Sequence, residues 1–183
     1  MTNSRVITPA EFGEMLHDFD HTAFRLELQD SYLEAEEADL FAAFLRGDPD
    51  PPTTVPELQE WYRRINEHVK EGKRIERVRV QQDPPTDYQR FERWLDHWNR
   101  QAGETMRYLT RDRAHEIGLL PAAGNTDWWL LDSARLIAMR FDDEGHRIQN
   151  ELITDPEVVI QACMWRDLAV HHSVLLNSQD VAA

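Results

Sequence analysis

The sequence predicts an α/β fold, with α+β as the other arrangement: a central mixed β-sheet with helices packed on it. Three observations carry this. Apolar and charged residues alternate over positions 23–28 and 75–80, the period of a strand whose two faces differ. Apolar residues recur at helical spacing in several segments that open on capping residues. Between Trp128 and Ile153, apolar runs separated by turn signals read as a three-strand meander. The 183 residues suffice for one domain with its own core.

The elements follow in order. Thr8-Pro9-Ala10-Glu11 holds a cap, a proline at the first helical position and an acid three residues on, so a helix starts there with Phe12, Leu16 and Phe19 on one face. Phe24, Leu26 and Leu28 against Arg25 and Glu27 make a half-buried strand. Leu40, Phe41, Phe44 and Leu45 stripe a second helix that Gly47 closes. Positions 48–56 are proline-rich and divide an N-terminal helix-and-strand segment, 1–47, from an α/β body, 57–183, the whole reading as one domain.

In the body, Leu58, Trp61, Tyr62, Ile65 and Val69 mark a helix ending at Gly72, and IERVRV follows as a strand. Asp83-Pro84-Pro85 breaks the chain. Thr86 and Gln89 then form a capping box for a helix striped by Tyr88, Phe91, Leu95 and Trp98 and stopped at Gly103. A short strand at 105–109 and a helical turn at 111–118 precede the meander, whose last turn is Asp142-Asp143-Glu144-Gly145. Asp155-Pro156 caps a final helix, and a polar tail ends the chain.

Charge narrows the function classes. There are 34 acidic against 20 basic side chains, a net charge of −14, and positions 1–50 alone hold 12 acids and 3 bases. Such a surface repels phosphate backbones, so direct nucleic-acid binding is not expected. No apolar run approaches the roughly 18 residues of a membrane span, mean hydropathy is −0.64, and the N-terminus lacks a secretory pattern, so a cytoplasmic protein without membrane attachment is expected.

Motif-bearing enzyme classes find no support: GxSxG, GxGxxG, GxxxxGK and HExxH are absent. His17 and His21 have the i,i+4 spacing of two helical metal ligands but no third ligand, and the single Cys163 reads as an inert buried thiol. No metal and no cofactor are expected. Trp128 and Trp129 are adjacent on a strand, so their rings take opposite faces, one in the core and the other under a helix or lining a cleft. A cleft at that strand's end would collect Trp128, Asp127 and Asp132. Arg77 and Arg79, on one face of a strand, would meet a carboxylate or phosphate there, or pair with Glu92 to hold strand to helix. Tyr88, Arg90 and Glu92, on the first turns of the next helix, complete the candidate ligand-binding set.

Arg74-x-x-Arg77-Val-Arg79-Val, Thr86-Asp87-Tyr88-x-Arg90-Phe91-Glu92, Ala102-Gly103-Glu104, Asp127-Trp128-Trp129-Leu130-Leu131-Asp132, Phe141-Asp142-Asp143-Glu144-Gly145 and Arg166-Asp167-Leu168-Ala169 resemble the actinobacterial domain-of-unknown-function 6879 family, and that resemblance covers nearly the whole chain. The family brings no catalytic residue. Its members' occurrence beside helix-turn-helix regulators implies a regulatory role. A second resemblance is to a phospholipase D-like half, whose motif is His-x-Lys-x4-Asp; Asn125-x-Asp127-x4-Asp132 stands in its place. The nucleophilic histidine and the phosphate-binding lysine are both missing. Such a degenerate module implies sensing or dimerisation without chemistry. The expected function is therefore a non-catalytic sensor or interaction module, its partner a regulator protein, a small anionic ligand or a second copy. The alternative is an enzyme of unrecognised type around Arg77, Arg79, Glu92 and Asp132.

Overall fold

The computed structural model describes residues 3–175. The part of the expected polar tail at 176–183 lies outside the described residues. The chain runs β1 (Ser4–Ile7), α1 (Pro9–His17), β2 (Thr22–Glu27), α2 (Ala38–Leu45), α3 (Pro56–Lys70), β3 (Arg74–Gln81), α4 (Asp87–Ala102), β4 (Thr105–Thr110), α5 (Arg111–Glu116), β5 (Asp127–Leu131), β6 (Arg135–Phe141), β7 (Arg147–Ile153), α6 (Pro156–His172) and β8 (Val174–Leu175). The strands form one mixed sheet in the order β1-β7-β6-β5-β2-β3-β4-β8. β2, β3 and β4 are parallel; the other neighbours are antiparallel. This is the α/β architecture expected from the sequence.

Local chemistry sets the helix ends. Thr8 with Glu11, and Thr86 with Gln89, form complete capping boxes for α1 and α4, and Asp155 caps α6. α1 stops at His17, so His21 is not on the same helix and the metal-ligand spacing read between them does not apply. Among the described residues no group of three or more His, Cys, Asp or Glu could hold a metal ion.

Alternation across the strands gives the sheet two buried faces. Phe24, Leu26, Val78, Val80, Trp128 and Leu130 pack with Ala114 of α5 and with Val159, Ala162 and Ala169 of α6. On the other face Ala23, Ile75, Trp129, Leu131 and Ile137 pack with Phe12 of α1 and Ile65 of α3, and Phe91 and Leu95 of α4 pack with Leu40 of α2. β2 is therefore not half-buried, as its alternation suggested: Glu27 is only 4% exposed. The pattern reports that two faces differ chemically and leaves open which one meets water. β2, from ahead of the proline-rich stretch, lies between β5 and β3 inside the sheet.

The hairpin between β5 and β6 turns at Asp132 and Ser133, both at positive φ (54° and 53°). The Asp132 carboxylate accepts the backbone N–H groups of Asp20, His21 and Thr22 at 3.0, 2.7 and 3.0 Å and pairs with Arg135 at 3.1 Å. It thereby ties the hairpin to the start of β2. Burial raises its carboxyl, but the three N–H groups and Arg135 outweigh burial and hold it below the ordinary aspartate value. Asp132→Ala is expected to cost about 2 kcal/mol in urea unfolding, because three donors lose a charged acceptor. This carboxylate's contribution is present above the unfolded-state value and is lost as pH falls through the depressed folded value. The wild-type advantage over the variant should therefore shrink in acid.

Candidate ligand-binding cavity

Residues two apart on a strand share a face, so β2 presents Arg25 and Glu27, β3 Arg77 and Arg79, and β5 Asp127 and Trp129 on the side covered by α3 and α4. Parallel register sets Arg25 opposite Arg77 and Glu27 opposite Arg79. Glu27 accepts from Arg77 at 2.7 Å and from Arg79, and pairs with Arg25 at 3.0 Å. Arg77 also donates to Glu104 at 2.9 Å. Arg79 donates to Glu92 and, at 3.2 and 2.9 Å, to Asp96. Arg25 reaches Asp127 at 3.3 Å, which also accepts the Leu28 N–H at 2.8 Å and the Tyr32 hydroxyl at 2.5 Å. The Tyr108 hydroxyl donates to Asp96.

α4 supplies its share through a polar stripe, Tyr88, Glu92, Asp96 and Asn99, running beside the apolar stripe of Phe91 and Leu95; both are buried. Two of the guanidinium groups, those of Arg25 and Arg77, lie over aromatic rings as well as being paired. Arg25 and Arg77 lie 5.7 and 5.8 Å from the Trp129 ring centre, and Arg77 lies 5.9 Å from that of Trp61.

The network is out of charge balance: Arg25, Arg77 and Arg79 face Glu27, Glu92, Asp96, Glu104 and Asp127. Proton affinities divide accordingly. Burial raises the Glu27 carboxyl, yet Arg25, Arg77 and Arg79 outweigh it and hold the group at about 2. Glu92 shares Arg79 with Glu27 and Asp96, and burial together with those two carboxylates pushes it well above the ordinary value. Burial also raises Asp96, Glu104 and Asp127 against the arginines beside them.

Over this network lies a cavity of about 380 Å³. Arg25, Glu27, Arg77, Arg79 and Glu92 line its charged side, and Tyr32, Trp61, Tyr88 and Trp129 its aromatic side. Half-buried Glu34 and Glu37 and exposed Glu36, Glu57 and Arg147 also line it. Tyr88 donates to Glu37 at 2.9 Å, and burial raises the Glu37 carboxyl despite that bond.

The residues singled out from the sequence divide here. Arg77, Arg79, Tyr88 and Glu92 come together on the cavity. Asp127 stands behind it, fully buried in the arginine network. Three lie elsewhere. Trp128 faces the α6 side and packs on Phe24, so its neighbour Trp129 is the ring on the cavity. Arg90 is exposed and pairs with Asp87. Asp132 sits at the Thr22 end of β2, about 10 and 16 Å along the strands from the levels of Arg77 and Arg79 at 3.3 Å per residue. The four-residue centre Arg77, Arg79, Glu92 and Asp132 is therefore not assembled. Sequence reading passed over Arg25, Glu27, Tyr32, Glu37, Trp61, Asp96, Glu104 and Trp129. The available signal was charge at alternate positions of two otherwise apolar strands, RLE and RVR, together with an acid stripe on α4.

A family model described as "Domain of unknown function (DUF6879)" matches residues 10–178. The chain belongs to that family. No curated protein matches it in sequence. Among solved structures, this DUF6879 chain is similar to Nuc from Salmonella typhimurium, a phospholipase D family member, with a TM-score of 0.57 and 9% identity over 97% of this chain and 100% of that one. It is similar to NucT from Helicobacter pylori with a TM-score of 0.50 and 11% identity, covering 96% and 99% of the two chains. TrmBL2, an archaeal chromatin protein, gives a TM-score of 0.50 and 10% identity over 94% of this chain and 54% of that one. The fold is thus phospholipase D-like. Asn125, which the sequence resemblance sets at that motif's histidine, is exposed, and its carbonyl accepts from Gln29 at 3.1 Å. The same resemblance sets Asp127 at the motif's lysine.

Proposed function

We propose that this DUF6879 chain is a non-catalytic sensor: a phospholipase D-like scaffold that binds a small molecule and reports it to a protein partner. One observation carries the reading. The position that holds the phosphate-binding lysine in the motif is Asp127, fixed behind the cavity by Arg25, Tyr32 and the Leu28 N–H. A buried aspartate there repels a phosphodiester and offers no nucleophile, while the cavity beside it has the size of a small-ligand site. The helix-turn-helix regulator as partner, an actinobacterial setting and a cytoplasmic location follow from the sequence resemblance and composition. No helix of the described residues is long and apolar enough to cross a membrane.

Two assays test the reading. Incubation with bis(p-nitrophenyl) phosphate should release no nitrophenolate above buffer; hydrolysis lost on Arg77→Met, with the fold intact, would refute it. Titration against the adjacent regulator should give association, and none at high micromolar concentration counts against the partnership.

A further inference from the structure

We propose that the guest of this cavity is a small organic cation, an amine or guanidinium group beside a hydrogen-bond acceptor on a compact body, held by Glu92 and Glu37 between aromatic walls. The inference rests on the sensor reading and names its ligand class. Each of the three guanidinium groups, buried in Arg77 and Arg79 and half-buried in Arg25, is already engaged by at least two carboxylates. An anion entering the cavity would have to displace them, and it would meet Glu34, Glu36, Glu37 and Glu57 with only Arg147 among the exposed groups to attract it. A cation supplies what the network lacks. Trp129 adds an independent mark: it is 2% exposed, lies on the cavity wall, and its indole N–H has no hydrogen-bond partner in the protein. A buried unpaired donor is costly, and an acceptor on the guest would satisfy it.

Glu92 links binding to protons. It faces Arg25 and Glu27 of β2, Arg79 of β3, Asp96 and Arg93 on its own helix, and Tyr32, Glu37 and Tyr88 around the cavity. Burial and the neighbouring carboxylates raise its carboxyl well above the ordinary range. A bound cation stabilises its ionised form, so binding expels a proton and tightens as pH rises.

4-Guanidinobutanamide, a guanidinium with an amide carbonyl as acceptor, and inorganic phosphate, titrated calorimetrically at pH 5 and pH 8 in buffers of different ionisation enthalpy, provide the test. The guanidinobutanamide should bind about tenfold more tightly at pH 8 with proton release, and Glu92→Gln should weaken binding at pH 8 about tenfold and flatten the pH dependence. If that variant does not fold, Glu37→Gln and the unaltered protein's pH dependence decide. Binding of phosphate but not of the guanidinobutanamide overturns the cation and leaves the sensor reading standing. Binding of the guanidinobutanamide without proton release, or unaffected by both variants, overturns it too. No heat from either probe also overturns the cation, and whether the cavity holds any molecule is then read from the protein recovered from its own cells.

Discussion

Arg79→Met is expected to lower the unfolding free energy by about 3–5 kcal/mol, the range for removing one partner from a buried ionic cluster. For a chain of this size the thermal midpoint should fall by roughly 6–20 °C. Arg79 is 4% exposed and is shared by Glu27, Glu92 and Asp96. Without it Glu27 keeps Arg77 and Arg25, but Glu92 and Asp96 lose the cation that both contact. Adding Glu92→Gln to Arg79→Met should restore part of the loss, because one of the stranded carboxylates is gone. Urea unfolding of the two single variants and the double variant measures that coupling, and strict additivity would show that the two side chains do not act together.

Glu92→Gln alone should act in the opposite direction. At pH 8 the variant is expected to be more stable than the wild type by about 1 kcal/mol or more, since a buried carboxylate sharing its arginine with two others is replaced by a neutral group of the same shape. A carboxyl whose folded value is raised favours folding fully below the unfolded value. That contribution is lost as pH climbs through the folded value. The gap between variant and wild type should therefore close toward pH 4. Asp96, Glu104 and Asp127 are raised and push the wild type the same way, whereas Glu27 and Asp132 are lowered and push it the other way. Thermal midpoints across pH 4–8 check this, and a variant less stable at pH 8 would mean that Glu92 is ionised and fully compensated.

Most elements were legible because their causes are local. The Thr8 and Thr86 capping boxes, the stripe of Phe91 and Leu95, and the turns of the β5–β7 meander are each written within a few residues. β1 and β8 were not. Their partners, Asn150–Ile153 and Arg107–Tyr108, are distant in sequence, and pairing rather than local propensity makes them strands. The site was half legible for the same reason. Arg77 and Arg79 on one face, and Glu92 as their partner, follow from strand and helix periods. That Arg25 and Glu27 complete the cluster depends on β2 lying beside β3, a topological fact without a local signal. The choice between Trp128 and Trp129 likewise turned on which helices cover which face.

Native mass spectrometry of the protein recovered from its own cells, followed by identification of any released molecule, bears most directly on a cavity that holds without transforming. The expected spectrum carries a small adduct that acid strips and Glu92→Gln diminishes, and the molecule leaves chemically unchanged after prolonged incubation. A protein that arrives with no adduct, or one that converts the molecule it carries, contradicts the sensor reading.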